Sequence, residues 1–206
     1  MPNNDFAMFT ALTRFYCYDT LCLFCLGCTC CLRALLAGER WVGAVLCGLF
    51  CPLVWPLSRE VLLKGSPSAV VSLPRLHLAL VGGVILALFL ARWRGVWLKL
   101  PWLRLLCPTL LISFGFLCCQ IYLKPSSALL LATFLAILPD FVCELSLGEG
   151  ASFIRESWYL LRAFLGGIVT CALFLSLPEQ GVPRDLLALS LGVLVPVVLQ
   201  FLWPKT

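Results

Sequence analysis

Charge is what this sequence has least of. Lys and Arg number 15 and Asp and Glu 10 in 206 residues, so 12% of the chain is charged, where soluble domains carry about 25%. A water-facing surface cannot be built from half the usual charge. That excludes a soluble enzyme, a nucleic-acid reader and a disordered tail protein. Other polar types are scarce too. His77 is the only histidine, which excludes a His-rich metal centre. Asparagine occurs only at Asn3 and Asn4, neither in an Asn-x-Ser/Thr sequence, which excludes N-glycosylation. Pro2 makes myristoylation unexpected, the final Trp203-Pro204-Lys205-Thr206 does not read as a prenylation box, and Asp5 ahead of any Arg makes a cleaved signal peptide unexpected. No G-x-S-x-G, H-E-x-x-H or phosphate-loop pattern occurs, so neither catalysis nor a cofactor is expected.

Apolar residues fill the space, at 62% with a mean hydropathy of +1.02. The uncharged runs are 20–32, 41–58, 76–91, 105–123, 125–139, 163–178 and 186–204. Runs of about 16–19 residues reach spanning length once a flanking Lys or Arg snorkels to the interface. The runs 20–32 and 125–139 are shorter, and cross only if Asp19 or Arg33, and Asp140, are drawn in. Helices are the expected spans, because lipid satisfies no open sheet edge. The expectation is an all-α, multi-pass transmembrane bundle forming one domain over 1–206, with seven spans, or six if a short run is merely embedded. Gly and Pro gather in the loops between runs, as at Gly65-Ser66-Pro67 and Gly181 to Pro183.

The net charge of +5 is a topology signal, since the basic residues stand singly between apolar runs. With seven spans, Arg33, Arg40, Arg92, Arg94, Lys99, Arg104, Arg155, Arg162 and Lys205 share one side. Arg14, Arg59, Lys64, Arg75, Lys124 and Arg184 share the other. The bias leans toward a cytoplasmic C-terminus, in an endomembrane or the plasma membrane. Trp41, Trp55, Trp93, Trp97, Trp102, Trp158 and Trp203 fall near run ends, as an interfacial aromatic belt would.

Segments 80–91 and 164–176 share a Gly pair and an Ala-Leu-Phe-Leu stretch: Gly82-Gly83 lies over Gly166-Gly167. This suggests a three-span unit, 41–124, duplicated as 125–206 in inverted sense, the plan of many transporters with sites between the halves. Apolar segments also match by chance, and Gly pairs recur because they let helices approach closely. Ala44 with Gly48, Ala87 with Ala91, and Ala188 with Gly192 before Pro196 carry the same small-residue spacing.

Candidate site residues are few. Asp19, His77, Asp140 and Glu144 are ionisable groups near or within runs, functional candidates by default. Asp140 and Glu144 share a helix face. They either line a cavity, binding a cation or relaying protons, or sit at the surface and pair with Arg155 and Arg162. The 15-residue run before Asp140 favours the second. Gly82, Gly83, Gly166 and Gly167 are binding candidates through the repeat. Among 13 cysteines, Cys17, Cys22, Cys25, Cys28, Cys30 and Cys31 form one run with overlapping C-x-x-C pairs. No second Cys/His cluster closes a tetrahedral site, so no metal is expected. Cys30 and Cys31, beside Arg33, are candidates for lipidation. The partners implied are the lipid bilayer and other membrane proteins or a second copy, without nucleic acid. The leading function is a non-catalytic membrane scaffold or assembly protein; the alternative is a small transporter or channel.

Overall fold

A helix satisfies its own backbone hydrogen bonds where no water is present. Every apolar stretch described is helical in the computed structural model, which describes residues 3–64, 74–92, 101–120, 123–148, 157–177 and 184–202. The helices are α1 (Asn3–Leu36), α2 (Trp41–Phe50), α3 (Val54–Lys64), α4 (Pro74–Arg92), α5 (Pro101–Cys119), α6 (Pro125–Leu147), α7 (Ser157–Ser176) and α8 (Arg184–Leu202). A single 3-10 turn, Cys51–Leu53, joins α2 to α3. Among the described residues there is no strand.

Local chemistry explains the ends. Pro74, Pro101 and Pro125 each open a helix, where the missing N–H would have no intrahelical acceptor anyway. Gly38 closes α1 with φ +89°: its N–H donates to the Leu35 carbonyl at 3.3 Å, and the Glu39 N–H to the Ala34 carbonyl at 3.0 Å. This pair of bonds reverses the chain in four residues and aims α2 back along α1. Gly148 ends α6 in the same left-handed conformation, with φ +70°.

Four helical segments are long and apolar enough to cross a membrane: Asp19–Leu36, Trp41–Leu63, Pro74–Arg92 and Pro125–Leu147. The architecture is that of a membrane-integral helical protein. Cys107–Leu117, Leu161–Ser176 and Leu187–Leu199 are shorter apolar stretches within α5, α7 and α8. The two runs that looked too short, 20–32 and 125–139, belong to two of the four long segments. Their helices continue through Asp19, Arg33, Asp140 and Glu144, which are drawn in with partners. The second span, in turn, is not one regular helix. Pro52 and Pro56 each lack an N–H, and the helix tightens to 3-10 geometry at Cys51–Leu53.

α1 is the hub, packing most broadly on α4 and also on α2, α5 and α6. Leu23 meets Leu76 and Leu80, and further along Cys28, Cys31 and Ala34 meet Val84 and Ala87. Both helices therefore advance in the same direction, and the chain between them must recross. Thr109 and Gly166 touch at one level and Ser113 and Thr170 at the next, so α5 and α7 are also parallel. Gly166 faces Gly192 and Pro196, and Thr170 faces Gly192, so α8 runs back along α7. The Gly pairs of the suspected repeat thus meet different surroundings: α4 lies along α1, while α7 lies between α5 and α8.

Small residues set the close approaches. Ala44, Gly48, Ala87, Ala188 and Gly192 are buried. A Cβ on Gly83 would collide with the Phe24 carbonyl, and one on Gly48 would stand 2.7 Å from Val84 Cγ2 and 2.8 Å from Cys31 Cβ. The main apolar core gathers Trp55, Leu111, Ile112, Phe114, Phe116, Leu117 and Leu135 between α1, α3, α5 and α6. Of the tryptophans expected in an aromatic belt, Trp41 is 69% exposed, while Trp55 is fully buried and does not belong to one. Trp93, Trp97 and Trp203 lie outside the described residues.

Gly83→Ala is expected to destabilise the bundle by about 1–3 kcal/mol, because backbone must move to admit the methyl group. Gly82→Ala is expected to cost much less, since its Cβ would meet only the Phe24 ring, at 3.4 Å. Thermal unfolding of the detergent-purified protein distinguishes them. Equal shifts would show that the α1–α4 approach is not set at Gly83.

Candidate functional site

α1 carries one charge near each end of its apolar segment, Asp19 and Arg33. Fourteen residues at 1.5 Å rise place them about 21 Å apart along the helix axis, within a hydrocarbon core of roughly 30 Å. Each is answered by a charge from another helix. At the Asp19 end, Arg59 of α3 donates from both terminal nitrogens to the Asp19 carboxylate, at 2.6 and 2.9 Å. Its guanidinium also lies over the Trp55 ring at 4.8 Å and near Phe114 at 5.8 Å. The planar fork matches the carboxylate, and the aromatic faces replace part of the lost hydration.

At the other end Arg33 divides its fork. Nη1 donates to Asp140 Oδ1 at 3.1 Å and Nη2 to Glu144 Oε1 at 2.7 Å. The two carboxylates reach one guanidinium because they stand one helical turn apart on α6. Glu144 is 2% exposed, so its charge depends on partners within the protein. Glu144 lies in the last turn of α6, where the helix dipole disfavours negative charge. Arg33 lies in the last turn of α1, where the dipole favours positive charge. Bringing the two ends together offsets the unfavourable placement with the favourable one.

One turn from Arg33 the interior is lined with sulfur. Cys30 of α1, Cys51 of the 3-10 turn and Cys143 of α6 form a buried cluster, with Cys47 packed against it. Cys143 Sγ lies 4.0 Å from the Cys30 carbonyl, and Cys51 Sγ 4.0 Å from Ser146 Oγ. Among the described residues, no group of three or more His, Cys, Asp or Glu has the arrangement of a metal site. A separate polar seam joins α5 to α7. Thr170, fully buried, is 2.9 Å from Ser113 Oγ and 3.0 Å from the Gly166 carbonyl, the two acceptors open to its hydroxyl.

The structure brings together Asp140 and Glu144 but separates them from the other candidates. Asp19 lies at the opposite end of α1. His77 is exposed in the first turns of α4. Gly82 and Gly83 face α1, and Gly166 and Gly167 face α8 and α5, where each admits a neighbouring helix. The carboxylate pair is not the surface feature expected, because α6 continues for two turns past Pro139 and buries Glu144 against α1. Both carboxylates pair with Arg33 of α1, and Arg155 lies outside the described residues. Cys30 and Cys31 are both fully buried, which leaves an acyl chain no room on either sulfur in the folded bundle. They pack inward because α1 is the hub and has no wholly lipid-facing side there. Sequence reasoning missed Arg33 and Arg59 as partners, having assigned both to span boundaries. The available signal was that Asp19 and Arg59 fall on one side of the bilayer when spans alternate.

Arg33→Met is expected to destabilise by about 3–5 kcal/mol, since it leaves two carboxylates without their shared cation. Adding Asp140→Asn and Glu144→Gln to Arg33→Met is expected to restore most of that loss. Unfolding measurements on the single and triple variants check this, and a triple variant no more stable than the single would refute the coupling. No family model, curated protein or solved structure matches this chain.

Proposed function

We propose that this chain is a seven-span, non-catalytic membrane protein that works as a scaffold or assembly partner for other membrane proteins. The observation that carries the reading is the use of its intramembrane charges. Asp19, Arg33, Arg59, Asp140 and Glu144 tie helix to helix, so they act in assembly of the bundle. The outward face is apolar, with Phe50 on α2, Leu78 and Ile85 on α4 and Leu130 and Phe134 on α6 all exposed. Such a face suits lipid and apolar helices of a partner. The parallel course of α1 with α4 and of α5 with α7 supports seven alternating crossings, with the two chain ends on opposite sides.

A transport reading has one specific observation in its favour: the second span is broken at Cys51–Leu53, next to the Arg33 cluster. Broken helices with buried polar groups mark many transporter sites. Purified protein in liposomes separates the two. No flux of protons, monovalent cations or small anions is expected from the parent chain. Flux that disappears in Asp140→Asn/Glu144→Gln would overturn the scaffold reading in favour of transport. Crosslinking in native membranes is expected to recover a discrete membrane-protein complex, and recovery of the chain only as a monomer would count against it.

Topology has its own test, made clean by the absence of natural sequons. A sequon on an inserted linker is expected to be glycosylated within 65–73 and unmodified within 93–100. The reverse pattern would invert the orientation, and modification at both would break the seven-span order.

A further inference from the structure

Arg33 and Arg59 are answered by carboxylates inside the bundle, but Arg40 and Arg92 are not. Both are exposed, and among the described residues neither enters an ion pair. We propose that these two arginines head a binding site for one anionic phospholipid, in the outer groove between α2 and α4.

Register brings the two cations to one level. α2 runs back along α1 while α4 advances with it, so α2 and α4 are antiparallel, and they pack on each other. Gly48 of α2 faces Val84 of α4, where a Cβ on the glycine would stand 2.7 Å from Val84 Cγ2. Eight residues before Gly48 stands Arg40, and eight after Val84 stands Arg92. At 1.5 Å rise per residue both lie about 12 Å from that contact, in the same direction. Beside them is Trp41, 69% exposed, an indole of the kind that sits at headgroup level.

The groove below them is apolar. Trp41, Val45 and Leu49 recur every four residues along one side of α2. Leu49 joins Leu76 and Leu80 of α4 in an apolar cluster with Leu23, which turns that side of α2 toward α4. On α4, Val81, Ile85, Leu88 and Arg92 share one face, with Val81 43% and Ile85 60% exposed. The carboxylate nearest in sequence, Glu39, is turned away. Its Oε2 lies 2.9 Å from where a Cβ on Gly43 would stand. Gly43 is about 160° around α2 from both Trp41 and Val45.

This pattern suits an anionic lipid on both counts. Guanidinium forks bind phosphate oxygens through charge-assisted hydrogen bonds, and a further negative charge on the headgroup suits the second cation. A zwitterionic headgroup carries its own ammonium, which is repelled by the pair. An acyl chain lies along Val45, Ile85 and Leu88, which a free phosphate has no means to use.

The test reconstitutes the full chain in phosphatidylcholine vesicles with a trace of phosphatidylserine or phosphatidylcholine bearing a diazirine on one acyl chain. After irradiation, labelled peptides are mapped by mass spectrometry. The serine probe is expected to label segments 41–50 and 81–92 about 5-fold more than the choline probe. Arg40→Gln with Arg92→Gln is expected to remove that preference, and Arg40→Lys with Arg92→Lys to retain most of it. Lys124→Gln, at an exposed cation of the opposite end, is expected to leave it unchanged. Equal labelling by both probes overturns the proposal. So does a preference that survives the double Gln variant or falls equally in Lys124→Gln, since either assigns the lipid to the general field of the protein.

Discussion

An unpaired charge in hydrocarbon costs several kcal/mol, and the arrangement of this protein follows from how α1 avoids that cost. Asp19 and Arg33 sit on one helix about 21 Å apart by helical rise, too far to answer each other. Each must recruit a partner from elsewhere, and the two partners come from different helices. Arg59 fixes α3 against one end of α1, while Asp140 and Glu144 fix α6 against the other. Two clamps on one rod set the relative height of three elements and leave little freedom to slide.

Between the clamps, steric fit takes over. Lipid tails are as apolar as leucine, so helices in a bilayer gain little by hiding apolar side chains from water and gain chiefly by packing. Gly27, Gly48 and Gly83 let α1, α2 and α4 approach to backbone contact, and Gly166 and Gly192 do the same for α7 and α8. Buried hydroxyls add direction. Thr170 fills the space left by the missing side chain of Gly192 and reaches Ser113 on α5. The Gly pairs that suggested a duplicated unit are explained by this packing, whatever their ancestry.

Much of the fold was legible before any coordinates. Long uncharged runs imply spanning helices because a helix satisfies its own backbone in lipid, and of the small residues four apart Ala44, Gly48, Ala87, Ala188 and Gly192 are buried while Ala91 is half-buried. The candidate site was legible only in part. Asp140 and Glu144 stood out as carboxylates one turn apart, but charge at the edge of an apolar run has two meanings. It marks a boundary if it faces water, and lengthens the span if it meets a counter-charge. Arg33 and Arg59 were read in the first sense and belong to the second. Trp55 was misplaced for the same reason: it borders a charge, but Arg59 points inward and carries its aromatic neighbour with it.

Residue order alone determined that this is a helical membrane protein, because scarcity of charge and the length of apolar runs are properties of the chain. It also determined where helices begin and reverse, through Pro74, Pro101, Pro125, Gly38 and Gly148, whose backbone preferences are local. Only the tertiary structure decided which charge meets which. Asp19 and Arg59 lie 40 residues apart, and Arg33 and Glu144 lie 111 apart. No local preference spans such separations. The pairing emerges when helices dock in register, and at that point a scarce set of charges changes from marking the ends of spans to holding them together.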